Sequence, residues 1–180
     1  MTSWQPMEIR ALEEADNRAA FRSGDLDLDR FLHNYAGQNQ FRHHIGITYV
    51  AIEGHEIMGY ATVAAGHIEI DDLPVDRRKK LPRYPLPVLR LARLAVDQTH
   101  QGQKVGLVLL RYVLKLALRM REEFGCVGVA VDAKPAAIDF YRRFGFFALH
   151  VHEGQSASRP LPTAMFLPVD DIDHASRTAE

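Results

Sequence analysis

Apolar residues recur along this chain with two periods, and the switches between them predict its elements. Met7 to Leu12 reads as a first strand. Asp25 to Gln38 reads as a helix: Asp residues suit its start, and Leu28, Phe31, Leu32 and Tyr35 fall on one face. Thr48 to Ile52 and Ile57 to Val63 alternate as two antiparallel strands about the turn Glu53-Gly54-His55-Glu56. A proline-bearing loop follows, with Pro74, Pro82, Pro85 and Pro87.

The second half is more regular. Leu89 to Val96 reads as a strand, and Gly106 to Phe124 as a long helix with Leu109, Val113, Leu116 and Met120 inside. Arg111, Lys115, Arg119 and Glu122 form its outer stripe. Val127 to Asp132 is a short buried strand. Pro135 to Phe144 is a helix with proline in its first turn and Gly145 just past its end. Phe146 to Val151 and Ala164 to Leu167 complete the strands, and Asp170 to Glu180 reads as a frayed polar tail. Strands interleaved with helices predict an α/β (α+β) domain with a mixed sheet. The expectation is one domain over residues 1–170, with 171–180 disordered.

Composition adds little to this picture; charge distribution adds more. With 180 residues, 47% hydrophobic and 25% charged, the chain is long enough to bury a core. No apolar run is long enough to span a membrane. Met1 to Arg10 lacks a basic start and apolar core, so no secretory leader is expected. One cysteine, Cys126, excludes an internal disulfide framework and fits the cytoplasm. The net charge of −1 hides an asymmetry: residues 1–76 hold thirteen acids and five bases. Residues 77–121 hold twelve bases and one acid, Asp97. A basic face of that kind attracts a phosphate-rich partner, a nucleotide cofactor or a nucleic acid.

Three local features carry candidate chemistry, and each also has a plain structural reading. Leu89 and Leu91 alternate in one phase, Leu94 and Val96 in the other. The slip between Ala92 and Arg93 is that of a β-bulge or of a strand buried on both faces. His100-Gln101-Gly102-Gln103-Lys104-Val105-Gly106 then ends a strand and opens a helix, either a plain connection or an anion site. Unpaired backbone N–H groups and the helix dipole favour phosphate there, and glycine permits close approach. Tyr141, in Phe140-Tyr141-Arg142-Arg143-Phe144-Gly145-Phe146, is either a core aromatic or an acid suited to a departing thiolate.

Taken together, Arg90-Leu91-Ala92-Arg93-Leu94-Ala95-Val96-Asp97, the loop Gln101 to Gly106, Phe140-Tyr141 and Phe144-Gly145-Phe146 resemble the GCN5-related N-acetyltransferases, over residues 48–168. The resemblance implies a mostly antiparallel mixed sheet flanked by helices, with a V-shaped split between the fourth and fifth strands. It implies acetyl-CoA as co-substrate. Leu94, Ala95 and Val96 would offer backbone groups to the acetyl carbonyl and pantetheine. Gln101, Gly102, Gln103, Lys104, Val105 and Gly106 would hold the pyrophosphate, Phe140 would line the cofactor, and Tyr141 would be the acid. One position departs from the family pattern: Lys104 stands where glycine is usual. If that position needs positive φ, lysine costs about 1 kcal/mol or more.

A narrower resemblance joins Thr48-Tyr49-Val50-Ala51, Gly59-Tyr60, Leu81-Pro82-Arg83-Tyr84-Pro85-Leu86-Pro87-Val88 and Arg93-Leu94-Ala95-Val96-Asp97 to the acetyltransferase toxins of bacterial toxin–antitoxin pairs. Phe21-Arg22-Ser23-Gly24 with Leu28-Asp29-Arg30-Phe31-Leu32 resembles their opening helix. It implies an aminoacyl-tRNA substrate, a ribbon-helix-helix antitoxin partner and pairing as dimers. An α-amino group, with a pKa of about 7.7–8.0, needs no strong base to be neutral. That suits a chain where His43, His44, Glu69 and Asp97 are all candidate bases and none stands out. Arg77, Arg78, Lys79, Lys80, Arg83 and Arg90 are the expected tRNA contacts. Two other functions fit the same residues: acetylation of a small amine or protein N-terminus, which predicts an acidic acceptor cleft, and a non-catalytic acyl-CoA sensor. His43-His44 and His150-Val151-His152 lack convergent partners, so no metal is expected. Cys126 reads as an apolar filler.

Overall fold

The computed structural model describes residues 6–78, 80–150 and 162–173. Seven strands, β1 (Glu8–Ala11), β2 (Ile47–Glu53), β3 (Glu56–Ile68), β4 (Leu86–Val96), β5 (Gly128–Ala133), β6 (Phe147–Ala148) and β7 (Thr163–Pro168), form a mixed sheet. Their order is β1-β2-β3-β4-β5-β7-β6. β4 and β5 are parallel, with Leu89 opposite Val129 and Leu91 opposite Val131; the other described pairings are antiparallel. Contacts divide the chain into two compact units, Met1–Ala64 with Ala92–Val113, and Ala65–Leu91 with Leu114–Glu180.

In the first unit, α1 (Leu26–Arg30) opens as its sequence predicts, the Asp25 carboxylate accepting from the N–H groups of Asp27 and Leu28. The helical run then departs from expectation. Phe31–Tyr35 is a π turn, in which the Ala36 N–H reaches back to Phe31 O, before α2 (Ala36–Phe41). One extra residue per turn rotates the following side chains. Tyr35, expected on the inner face, is 46% exposed, and Ala36 takes its place at 1%. Gln40 is buried too, and its amide bridges the end of β1 to β2: Nε2 donates to Leu12 O at 2.9 Å, just past β1, and Oε1 accepts from Thr48 N at 2.9 Å. Leu12, Phe21, Phe31, Leu32, Val50, Ile57 and Tyr60 pack as this unit's core. β3 passes β4 closely at Gly59. A Cβ there would stand 2.9 Å from Ala95 O and 3.0 Å from the Leu109 side chain, so only glycine fits.

In the second unit, β5 is buried at Gly128, Val129, Ala130 and Val131, a parallel strand covered on both faces as its apolar run predicts. Ile68, Leu73, Leu86, Val88, Ala130 and Phe166 form a core cluster. A 3₁₀ turn at Pro135–Ala137 leads into α4 (Ile138–Arg143), and Gly145 follows at φ +94. β6 is shorter than the expected strand, and Val151 lies outside the described residues. Ile172 is fully buried, and residues 174–180 lie outside the description. α3 (Val105–Glu123) starts in one unit and ends in the other. Its buried stripe is wider than the sequence pattern, taking in Val105, Leu110, Leu114 and Ala117 beside Leu109, Val113 and Met120.

Candidate active site

In the first unit β4 ends on Leu94 and Val96, both half-buried, with Ala95 buried between them. The next residue anchors the turn. Asp97 N–H donates to Met58 O at 2.8 Å, and the carboxylate accepts from Arg22 N at 2.9 Å, Thr99 N at 3.0 Å and Thr99 Oγ1 at 2.7 Å. Burial acts to raise the Asp97 pKa, but these donors prevail and hold it below the usual carboxylate value. Asp97 is therefore an anchor and a poor base at neutral pH.

Gln101 continues the anchoring. Its amide donates to Ser23 O at 2.9 Å and Val96 O at 3.1 Å. Ser23 is held in turn by Asp29, whose carboxylate accepts from Ser23 N at 2.9 Å and Ser23 Oγ at 2.6 Å. The Gln101 side chain thus straps the loop to the end of β4. The binding groups are left to the backbone that follows.

That backbone is shaped for an anion. Gly102 has φ +81, and Lys104 has φ +65, so the lysine occupies the left-handed conformation that glycine adopts most readily. Lys104 O accepts from Val108 N at 3.1 Å, which opens the nineteen-residue α3. The N–H groups of Val105, Gly106 and Leu107 precede the first intrahelical donor. A Cβ on Gly102 would meet nothing within 4 Å, and one on Gly106 only Val96 Cγ2 at 3.5 Å. Glycine at these positions answers to no neighbour in the fold. The open cradle and helix N-terminus fit a pyrophosphate.

In the second unit Tyr141 is buried on α4, its ring edge-on to Phe140 at 5.2 Å and Phe146 at 5.3 Å. Among the described residues its hydroxyl makes no hydrogen bond, yet no buried side-chain polar atom there is left unpaired, so the hydroxyl opens to solvent at the edge of the buried ring. Burial pushes the phenol well above its ordinary pKa. Tyr60 is also raised by burial, but its hydroxyl is committed, donating to Leu28 O at 2.6 Å.

The basic stretch is less uniform than its sequence. Arg77 pairs with Asp171 at 3.3 Å and lies over the Phe147 ring at 4.6 Å. Arg78 donates to Leu73 O at 2.8 Å and Asp71 O at 3.0 Å. Arg90 pairs with Asp132 at 3.0 Å. Lys80 and Arg83 are exposed, and Lys79 lies outside the described residues. Arg93 escaped the sequence reading. It sits in β4 with its guanidinium carbon 3.7 Å from the Phe31 ring centroid. The spacing Arg90-x-x-Arg93 was the available signal, and it gives no hint which arginine is paired.

A cavity of about 420 Å³ in the second unit is lined by Glu69, Asp72, Asp132, His67, His150 and Arg90, among others. Its carboxylates outnumber its arginine. Glu69 also caps a 3₁₀ turn, accepting from the Asp72 N–H at its third position. His43 and His44 are exposed, and the described residues contain no group of metal ligands. His152 lies outside the described residues. Cys126 is buried, and burial raises its thiol pKa, as suits a filler.

The sequence profile of the acetyltransferase (GNAT) domain matches residues 44–147. Over 138 residues the chain is 30% identical to a tRNA-acetylating toxin of Mycobacterium tuberculosis, covering 76% of this chain and 82% of that protein. Among solved structures, AtaT complexed with acetyl-methionyl-tRNAfMet superposes with a TM-score of 0.82 at 27% identity, over 94% of this chain and 98% of that one. AtaTR bound with acetyl-CoA gives 0.76 at 27% identity, over 93% and 92%. An AtaT mutant bound to the C-terminus of the antitoxin AtaR gives 0.75 at 25% identity, over 94% and 96%.

Proposed function

The chain belongs to the GNAT acetyltransferases and is an acetyl-CoA-dependent N-acetyltransferase, and we propose that the amine it acetylates is the α-amino group of an aminoacyl-tRNA. The observation carrying this reading is the positive-φ cradle at Gly102 and Lys104 in a chain similar to a tRNA-acetylating toxin and to AtaT complexed with acetyl-methionyl-tRNAfMet.

In this reading backbone groups of Gly102 to Gly106 hold the pyrophosphate of acetyl-CoA, and Leu94 to Val96 align its pantetheine arm and acetyl carbonyl, with Phe140 lining the cofactor. Gln101 acts indirectly, fixing the loop through Ser23 and Val96. The neutral amine attacks the thioester carbon, the C–S bond breaks, and an amide forms. Tyr141 donates its proton to the departing thiolate, and the proton lost by the amine passes to solvent. A phenol whose pKa is raised by burial of its ring stays protonated at neutral pH, as that role requires. No strong base is needed, because an α-amino group is partly neutral near pH 8. Lys80 and Arg83, with the outer faces of Arg77, Arg78 and Arg90, supply cationic contacts for RNA, and Lys79 belongs to the same run. Among the described residues no helix is long and apolar enough to cross a membrane. The substrate places the enzyme in the cytoplasm. An antitoxin of the ribbon-helix-helix kind would be its partner, and the toxin would pair as a dimer.

Acetylation of a small amine or protein N-terminus is a second reading, favoured by the acid-lined cavity at Glu69, Asp72 and Asp132. One experiment separates them. Purified protein is incubated with radiolabelled acetyl-CoA and, separately, charged tRNA, uncharged tRNA, free amino acids and small peptides. Label on charged tRNA alone is expected. Label on free amines or peptides without charged tRNA would establish the second reading.

A further inference from the structure

We infer that Arg93 grips a phosphodiester near the acceptor end of the tRNA; this rests on the aminoacyl-tRNA reading above. Three other arginines of the basic stretch are engaged: Arg77 with Asp171, Arg78 with Asp71 and two carbonyls, Arg90 with Asp132. Arg93 is different. Among the described residues its guanidinium makes no hydrogen bond or salt bridge and lies over the Phe31 ring, 3.7 Å from centroid to Cζ. The acids of the helix start beside Phe31 have other work. Asp29 accepts from Ser23 twice, and Asp25 accepts from the N–H groups of Asp27 and Leu28.

Stacking leaves the edge of the guanidinium plane, with its N–H donors, available while fixing the plane itself. The platform is rigid. Phe31 stacks on Tyr60 at 6.3 Å, and the Tyr60 hydroxyl is tied to Leu28 O. A guanidinium held this way loses little freedom when it binds, and its fork matches two phosphate oxygens. Its place along the strand identifies the phosphate. Arg93 immediately precedes Leu94, assigned to the acetyl donor, and neighbouring strand residues are about 3.3 Å apart. The pyrophosphate loop, by contrast, starts at Gln101 and has its own backbone donors. A phosphate at Arg93 therefore belongs to the strand end carrying the amino acid.

The test uses Arg93→Met, which keeps an unbranched cover on Phe31 and removes the charge, with Arg93→Lys beside it. Binding of charged tRNA is followed by fluorescence anisotropy over a salt series, and KM is measured for both substrates. The expected result for Arg93→Met is tRNA affinity lower by roughly tenfold or more, as for one charge-assisted contact. The slope of log K against log salt should fall by about 0.7, the value for one single-strand phosphate. Arg93→Lys should recover part of the affinity, and KM for acetyl-CoA and the melting temperature should stay unchanged. Unaltered tRNA binding and slope in Arg93→Met, with wild-type binding intact, would overturn the inference and leave the aminoacyl-tRNA reading standing. A raised KM for acetyl-CoA with unaltered tRNA binding would overturn it in favour of a coenzyme phosphate. Failure of the wild-type protein to bind charged tRNA would overturn both.

Discussion

Replacing Lys104 with glycine tests the geometry of the loop proposed to hold the pyrophosphate. Lys104 has φ +65, where a side chain bearing Cβ is strained by about 1–2 kcal/mol. Glycine removes that strain but gives the unfolded chain extra freedom, which offsets about 0.4–1 kcal/mol. The net gain is then about 0.5–1 kcal/mol, or about 1–4 °C in Tm for a chain of this size. Lys104→Ala is the control, because it removes the ammonium and keeps the strain. Thermal and urea unfolding of all three proteins should therefore rank glycine above alanine. Titration calorimetry with acetyl-CoA gives the second half of the answer. The loop already adopts the left-handed turn with lysine in place, so the wild-type protein should bind, and Lys104→Gly should tighten binding by no more than about threefold. If Lys104→Gly unfolds no later than Lys104→Ala, positive φ is not what limits this position. If the wild-type protein fails to bind and the glycine variant binds, lysine has silenced the loop and the enzymatic reading is wrong.

Tyr141→Phe should lower kcat by about 10²- to 10⁴-fold, the range for a general acid, while acetyl-CoA affinity and Tm hold, because the lost hydroxyl has no internal partner. Steady-state kinetics and calorimetry on one preparation check this, and a variant with near-normal kcat removes Tyr141 as the acid. Gln101→Ala should weaken acetyl-CoA binding several-fold and cost about 1 kcal/mol of stability, since Ser23 O and Val96 O lose their donor; unchanged calorimetric affinity would mean the strap is dispensable. Asp97 has a folded pKa below its unfolded value of about 3.9, so its stabilisation is present above pH 4 and lost as pH falls through the folded value. Asp97→Asn should be less stable at pH 7 and lose less stability between pH 5 and pH 3; parallel urea-midpoint curves would show the carboxylate is not an acid-sensitive anchor.

The sequence by itself determined the strands, the long helix and the loop between them, because those depend on local periodicity and on glycine and proline positions. Leu109, Val113 and Met120 are buried where the helical period puts them, and Gly145 ends α4 with positive φ. The loop proposed to hold the pyrophosphate and the proposed acid, Tyr141, could be picked out as candidates for a related reason: their residues are contiguous or lie on one short helix. The π turn at Phe31–Tyr35 was not legible. Its single extra residue per turn trades Tyr35 for Ala36 at the core, and the packing around the helix selects that trade. Which arginines are engaged was equally hidden, since Arg77 meets Asp171 and Arg90 meets Asp132 across long loops of chain. The conformation of Lys104 likewise follows from the anchoring of Asp97 and Gln101 to Met58, Arg22 and Ser23. Ion pairs and loop conformations of this kind are set by which distant segments the fold brings within hydrogen-bonding reach. No local pattern encodes that, so only the tertiary structure separates Arg93 from its neighbours.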